Sequence, residues 1–186
     1  MVTCFKCKKN GHYADKCPEL KAPEAARPNP FQKGHVNHLD VEELMNEPDA
    51  VMGMFPLNSI IALVLFDIGA SHSFISRDFV NKNGIPTETI GKTIKVSSPG
   101  GEMIVNAGCR NLTLEIGNYK FPTHLVVLPS QGLDVILGMD WMTANGGVID
   151  CVNKCIILTT PEGKRIRDKS RIEPKDIRFN HLKGLA

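Results

Sequence analysis

The chain of 186 residues has no apolar run long enough to cross a membrane. Its longest, Ile60 to Phe66, has seven residues, against about 20 for a spanning helix. No targeting segment is visible at the N-terminus. These absences lead us to expect an intracellular protein, in cytoplasm or nucleus, with no membrane partner. The sequon Asn111-Leu112-Thr113 carries little weight without secretion. No internal repeat is evident, so solenoid architectures are set aside. An even disulfide framework is also lacking. Three of the six cysteines fall within the first 17 residues, which leaves Cys109, Cys151 and Cys155. An odd number without a leader points to free thiols in a reducing compartment. Cys151-x3-Cys155 is too isolated to argue for a metal.

Charge of one sign is scarce overall, at net +2, but it is unevenly distributed. Residues 1–18 carry four lysines and one acid, and residues 161–186 carry eight Lys/Arg against four Asp/Glu. The stretch between them holds ten basic against fifteen acidic residues. An acidic middle between basic ends suggests separate modules with separate partners. We expect residues 1–18 as a metal-dependent module, 19–49 as a flexible linker, 50–160 as the folded domain and 161–186 as a basic tail. The linker assignment rests on Pro23, Pro28, Pro30 and Pro48, with mixed charge and little periodicity. Val41 to Met45 has room for a turn or two of helix. His35 and His38 have metal-like spacing but no second pair, so they read as loop residues.

What the first module has is Cys4-x2-Cys7-x4-His12-x4-Cys17. Three thiolates and one imidazole are the donor set of a closed tetrahedral structural Zn2+ site. A segment this short cannot bury a core, so metal must supply the folding energy, about 10–16 kcal/mol in small zinc modules. Gly11 lets the backbone turn back before His12.

From Val51 the texture changes. Ser59 to Phe66 predicts a strand buried on both faces. Ser76 reads as the N-cap of a short helix through Lys82, stopped by Asn83-Gly84. Thr93 to Ser97 and Glu102 to Asn106 predict a hairpin around Ser98-Pro99-Gly100-Gly101. Asn111 to Ile116 and Tyr119 to Val127 predict a second around Gly117-Asn118. Val135 to Leu137, Val148 to Asp150 and Cys155 to Leu158 predict further strands, with a short helix from Asp140 to Ala144. Many short strands with regular turns argue for a mainly β fold, a small barrel or sandwich.

The chemistry-bearing point is the end of the buried strand, where Asp67 enters the tight turn Ile68-Gly69-Ala70. One such carboxylate does little alone. Two from symmetric copies can share a proton and activate a water, because like charges a few ångströms apart cannot both ionise. The domain has one such turn, so a homodimer is expected.

Two resemblances sharpen these expectations. The Cys4–Cys17 motif resembles the zinc knuckle of retroviral and retrotransposon nucleocapsid proteins. That resemblance implies base stacking by Phe5 and Tyr13, and phosphate contacts from Lys6, Lys8, Lys9 and Lys16. The partner implied is RNA or single-stranded DNA, with salt-sensitive binding. The segment Leu65-Phe66-Asp67-Ile68-Gly69-Ala70-Ser71-His72-Ser73-Phe74-Ile75-Ser76 resembles the active-site segment of retropepsin-like aspartic proteases of gypsy-type LTR retrotransposons. Asp134-Val135-Ile136-Leu137-Gly138-Met139-Asp140-Trp141 resembles their C-terminal signature, where an apolar pair and a glycine pack behind the catalytic loop. A knuckle followed by this protease is the gag-to-pol order of such elements.

The resemblance implies a closed barrel-like acid-protease fold, catalysis by Asp67 and cleavage of the gag-pol polyprotein by a homodimer. It implies no metal in catalysis and a flap at Ser98, Pro99, Gly100 and Gly101. It assigns no catalytic role to Asp140 or Asp150, and Trp141 reads as packing. The segment departs from the family at Ile68, where the family has Ser or Thr. In the family that hydroxyl bonds across the dimer. Its loss costs about 1 kcal/mol net, and the larger side chain adds about 1–3 kcal/mol of overpacking. Weak or absent proteolysis is therefore expected. The alternative is an impaired protease fold serving only as a zinc-knuckle nucleic-acid-binding protein. Met1 lies just before the knuckle and no polymerase motif follows, so the expectation is a fragment of a decayed element or a host-retained piece.

Overall fold

The computed structural model describes residues 11, 31–35, 50–98, 101–129 and 132–169, with residues 31–35 described as backbone. The chain divides into two units, Met1–Pro30 and Phe31–Ala186. In the first unit only Gly11 is described. Its φ of +111° lies where glycine is favoured, as a turn before His12 requires. The knuckle residues Cys4, Phe5, Lys6, Cys7, Lys8, Lys9, His12, Tyr13, Lys16 and Cys17 lie outside the described residues. So do Pro99 and Gly100, expected as part of a flap, and the stretch Val41 to Met45.

The second unit is built mainly of strands. β1 (Phe31–His35) precedes a hairpin of β2 (Val51–Leu57) and β3 (Ile60–Phe66). β4 (Phe74–Ser76) leads directly into helix α1 (Arg77–Asn83). The Ser76 hydroxyl oxygen accepts the Phe79 N–H at 3.0 Å, and Gly84 ends the helix at φ +60°. Both ends fall where capping chemistry predicts. β5 (Glu88–Ser98), β6 (Gly101–Ile116) and β7 (Tyr119–Leu128) form a meander. The two expected hairpins are therefore one structure sharing β6. It stays a single strand because a bulge between Cys109 and Leu112 absorbs the irregularity. β8 (Val135–Leu137) runs into helix α2 (Met139–Ala144). β9 (Val148–Asp150), β10 (Cys155–Thr159) and β11 (Arg165–Lys169) make a separate three-stranded sheet.

The larger sheet closes. β6 pairs β2, β2 pairs β3, β3 pairs β8, β8 pairs β4, β4 pairs β7, and β7 returns to β6. The ring contains six strands, the closed barrel expected from the sequence. Its narrowest seam is β2 to β6, where Leu57 faces Leu114. Asn58 reinforces that seam: its N–H donates to the Thr113 carbonyl at 2.9 Å, and its Oδ1 accepts the Thr113 N–H at 2.8 Å.

From Ala62 to Phe66 β3 is buried on both faces, as its unbroken apolar sequence predicts, whereas Ile61 at its start is exposed. Ala62, Val64 and Phe66 join a core with Leu57, Leu114, Ile116, Phe121 and Trp141. Leu63 and Leu65 join a second core with Ala70, Phe74, Ile94, Val96 and Val105. The second core ties the base of the β5–β6 hairpin to the turn that follows β3.

Four strands, β1, β2, β4 and β11, lie where the sequence predicts none; β4 occupies the approach to the Ser76 N-cap. β2 carries Gly53 and Pro56, both poor strand formers, and its turn is Asn58-Ser59 at φ 49° and 66° instead of a glycine signal. β1 falls inside the stretch read as a linker. It pairs parallel to β5 from Phe31↔Thr93 to His35↔Ser97, so the free edge of β5 supplies an order that its own sequence does not encode. β11 falls in the stretch read as a basic tail. Its alternation puts Ile166 against the core, and its register with β10 is antiparallel. Among the described residues no helix is long and apolar enough to cross a membrane.

Candidate active site

Asp67 sits one residue beyond β3, and two neighbours fix its backbone. Its N–H donates to the Leu137 carbonyl at 3.0 Å, extending the parallel β3–β8 ladder by one step. Its carbonyl accepts the Ala70 N–H at 3.2 Å, which closes the turn. The side chain folds back into that turn, where Oδ1 accepts the Gly69 N–H at 2.7 Å. Gly69 thus serves as a backbone donor to the carboxylate. Asp67 is 9% exposed, and its Oδ2 is buried with no hydrogen-bond partner in the protomer. Buried polar atoms are nearly always paired, so an orphaned carboxylate oxygen marks a place where a further group belongs.

Ala70 is fully buried, and its carbonyl accepts the Met139 N–H at 2.8 Å. Gly138 lies against the back of the turn. A Cβ there would meet the carbonyl oxygen of His72 and, at 2.7 Å, that of Ala70. Only glycine lets the strand approach so closely. This is the packing of apolar pair and glycine expected behind the loop.

Ile68 is 64% exposed in the single chain. The overpacking expected of it belongs to the contact between two copies. Met139 is also an exposed apolar residue, at 45%, and it follows Gly138, whose backbone presses on the same loop.

Two polar residues that sequence reasoning left without a role hold the far end of the loop. Ser73 is 1% exposed. Its hydroxyl accepts the Gly138 N–H at 3.0 Å and donates to Asp140 Oδ1 at 2.6 Å. Asp140 Oδ2 accepts the Ser73 N–H at 3.1 Å, and Oδ1 also accepts the Trp141 N–H at 2.7 Å. Asp134 does similar work one strand away, where its Oδ2 accepts the Leu63 N–H at 2.8 Å. The signal for these residues was their presence in the two quoted segments, with no spacing rule to single them out. Trp141 packs, as expected. It is buried against Phe66 and Phe121, and its indole N–H donates to Thr123 Oγ1 at 3.1 Å.

Of the residues expected to form a flap, Ser98 and Gly101 close the β5–β6 hairpin as a facing pair, and Gly101 has φ +120°. Among the described residues no group of three or more His, Cys, Asp or Glu could hold a metal. The metal set read from the sequence in the first 17 residues lies outside the described residues.

The zinc knuckle family model matches residues 2–19. Among solved structures, the chain is similar to the retroviral protease-like domain of Ddi1 from Leishmania major. Identity is 13% over 67% of this chain and 96% of that one, with a TM-score of 0.49. It is also similar to EIAV protease complexed with the inhibitor HBY-793. Identity there is 19% over 53% of this chain and 90% of that one, with a TM-score of 0.43. A model described as retroviral aspartyl protease matches residues 30–164, which take in every strand of the closed ring, Asp67 and the segment behind it. The chain belongs to the retroviral aspartyl protease family.

Proposed function

We propose that this chain is a retroelement-derived aspartic endopeptidase that works as a homodimer and carries a nucleic-acid-binding zinc knuckle. The observation that carries the catalytic reading is the Asp67 carboxylate. One oxygen is pinned by the Gly69 N–H at 2.7 Å, and the other is buried and unpartnered within the protomer. A second copy would supply the second Asp67 that a shared proton needs. The pair would share one proton. The ionised member takes a proton from a water as it attacks the peptide carbonyl, and the protonated member donates to the carbonyl oxygen. The substrate class is an extended peptide within a polyprotein. The β5–β6 hairpin is the flap that covers it.

The test is cleavage of a peptide pool at about pH 5, in the acid range of paired-carboxylate proteases. Activity that disappears in Asp67→Asn and under an aspartic-protease inhibitor supports the proposal. Activity that survives Asp67→Asn sinks it. The second reading is an inert protease body on a working knuckle, and the observation favouring it is Ile68. If only the Ile68→Ser version cuts, that reading holds for this chain.

The nucleic-acid reading rests on the motif and on the family match over residues 2–19. Three thiolates and an imidazole suit Zn2+ as a structural ion. Cys4, Cys7, His12 and Cys17 would hold it, and the metal would supply folding energy with no part in proteolysis. Phe5 and Tyr13 would stack on unpaired bases, and Lys6, Lys8, Lys9 and Lys16 would contact phosphates. Binding to single-stranded RNA that persists after chelation or in Cys7→Ser would refute this assignment.

A further inference from the structure

Asp67 must be placed accurately for two carboxylates to share one proton. The N-terminal side of its turn is held by β3. The C-terminal side meets the sheet again only at Ser73, whose carbonyl accepts the Val126 N–H at 2.9 Å where the β4–β7 pairing begins. Across that gap the loop is fastened to the segment after β8. The Met139 N–H reaches the Ala70 carbonyl, and the Gly138 N–H reaches the Ser73 hydroxyl. The Ser73 hydroxyl and N–H both end on Asp140. Asp140 is also bound to the first turn of α2 through the Trp141 N–H. Its carboxylate thus gathers three donors at 2.6, 2.7 and 3.1 Å from two chain segments. An ionised carboxylate accepts such bonds roughly twice as strongly as a neutral group.

We propose that Asp140 is a positioning residue for the active-site loop, acting through Ser73. Asp140 does not touch the reacting atoms. It fixes where Ser73 sits, and Ser73 fixes Gly138 against the Ala70–His72 backbone. That contact sets the turn from which Asp67 projects. Without the carboxylate, the buried Ser73 hydroxyl would keep the Gly138 donor but lose its own acceptor, and Ser73 would be held to its surroundings mainly by the Val126 N–H on its carbonyl. This inference rests on the proteolytic reading above, since positioning matters only if Asp67 is used.

The test compares Asp140→Ala, Asp140→Asn, Ser73→Ala and the Asp140→Ala/Ser73→Ala double variant. All are measured as full chains, with active sites titrated and at concentrations where the dimer is saturated. We expect kcat to fall about tenfold to a hundredfold in either alanine variant with KM little changed, as for a small misplacement of a reacting group. The double variant should be no worse than the worse single one, because the two residues act as one unit. Asp140→Asn keeps one acceptor oxygen and should recover part of the loss. Effects that add in the double variant, or that appear in KM alone, would overturn the proposal.

Amide hydrogen exchange gives a readout independent of turnover. Asp140→Ala should speed exchange at Ile68 to Ser73 and leave β6 and β7 unchanged. Faster exchange throughout the barrel, or none at the loop, counts against a positioning role. If the parent chain cuts nothing, a loop-confined increase would still support the positioning role while the proteolytic reading failed.

Discussion

At the scale of single residues, the Asp67 turn is assembled from contacts that tolerate little change. Gly138 is the tightest of them. Gly138→Ala must push a methyl group into two backbone carbonyls, neither of which is a flexible side-chain end. We expect about 1–3 kcal/mol of destabilisation from this overpacking, with loss of cleavage before loss of the fold. Thermal denaturation alongside a cleavage assay would check it. Ile68 predicts the opposite pattern. Because its side chain is 64% exposed, Ile68→Ser should change protomer stability by no more than about 0.5 kcal/mol, as for surface positions generally. Any effect should appear in self-association and cleavage alone. A large shift in unfolding midpoint at a concentration where the chain is monomeric would contradict this. Cys109 and Cys151 form a third contrast. Burial pushes the Cys109 thiol up, whereas Cys151 is exposed. Alkylation at neutral pH should therefore label Cys151 and spare Cys109 in the folded chain, as peptide mapping would show. A raised thiol in the folded state also fixes the sign of linkage. Its stabilising contribution is complete below the ordinary thiol range and is lost as pH rises through the folded-state value.

At the scale of elements, α2 is short but anchors the signature segment through Trp141. Its ring lies 6.2 Å from Phe66 and 5.7 Å from Phe121, centroid to centroid. Trp141→Ala should cost about 3–5 kcal/mol, and Trp141→Phe less, since the ring stays while the indole donor to Thr123 is lost. Denaturant melts of both variants give the comparison. The elements also show what a sequence can disclose. β3, α1, β8 and α2 were legible because each carries a local signal: an unbroken apolar run, an N-cap serine with a glycine stop, or a recognisable signature. β1 and β2 carried no such signal. β1 depends on an edge provided by β5, over sixty positions later in the chain, and β2 closes its hairpin with Asn58 and Ser59 in backbone space where glycine is usual. Asp67 was legible from its turn, whereas the Ser73–Asp140 bond was not. A contact across 67 positions is a product of topology.

At the scale of the whole molecule, two units carry two different dependences. Chelation should abolish binding to single-stranded RNA and leave unfolding of the barrel unchanged. A parallel fall in barrel stability on chelation would argue against separate modules. With Lys6, Lys8, Lys9 and Lys16 as the phosphate contacts, log K against log salt should have a slope no steeper than about −3, at about 0.7 per contact for single strands. Cleavage should depend on a second copy and so rise faster than linearly with protein concentration where the dimer is dissociating.

The place of β8 in the ring has a consequence for when activity can arise. β8 lies between β3 and β4, yet it is the last of the six ring strands to be made. A ribosome-tethered chain that has emerged only to β7 has β3 and β4 but nothing to join them. It also lacks Leu137, the acceptor for the Asp67 N–H, and Asp140, the acceptor for Ser73. Synthesis therefore delivers the aspartate early and its setting late. Under the proposed function, strand order withholds a complete setting from Asp67 until translation has passed the segment that closes the ring.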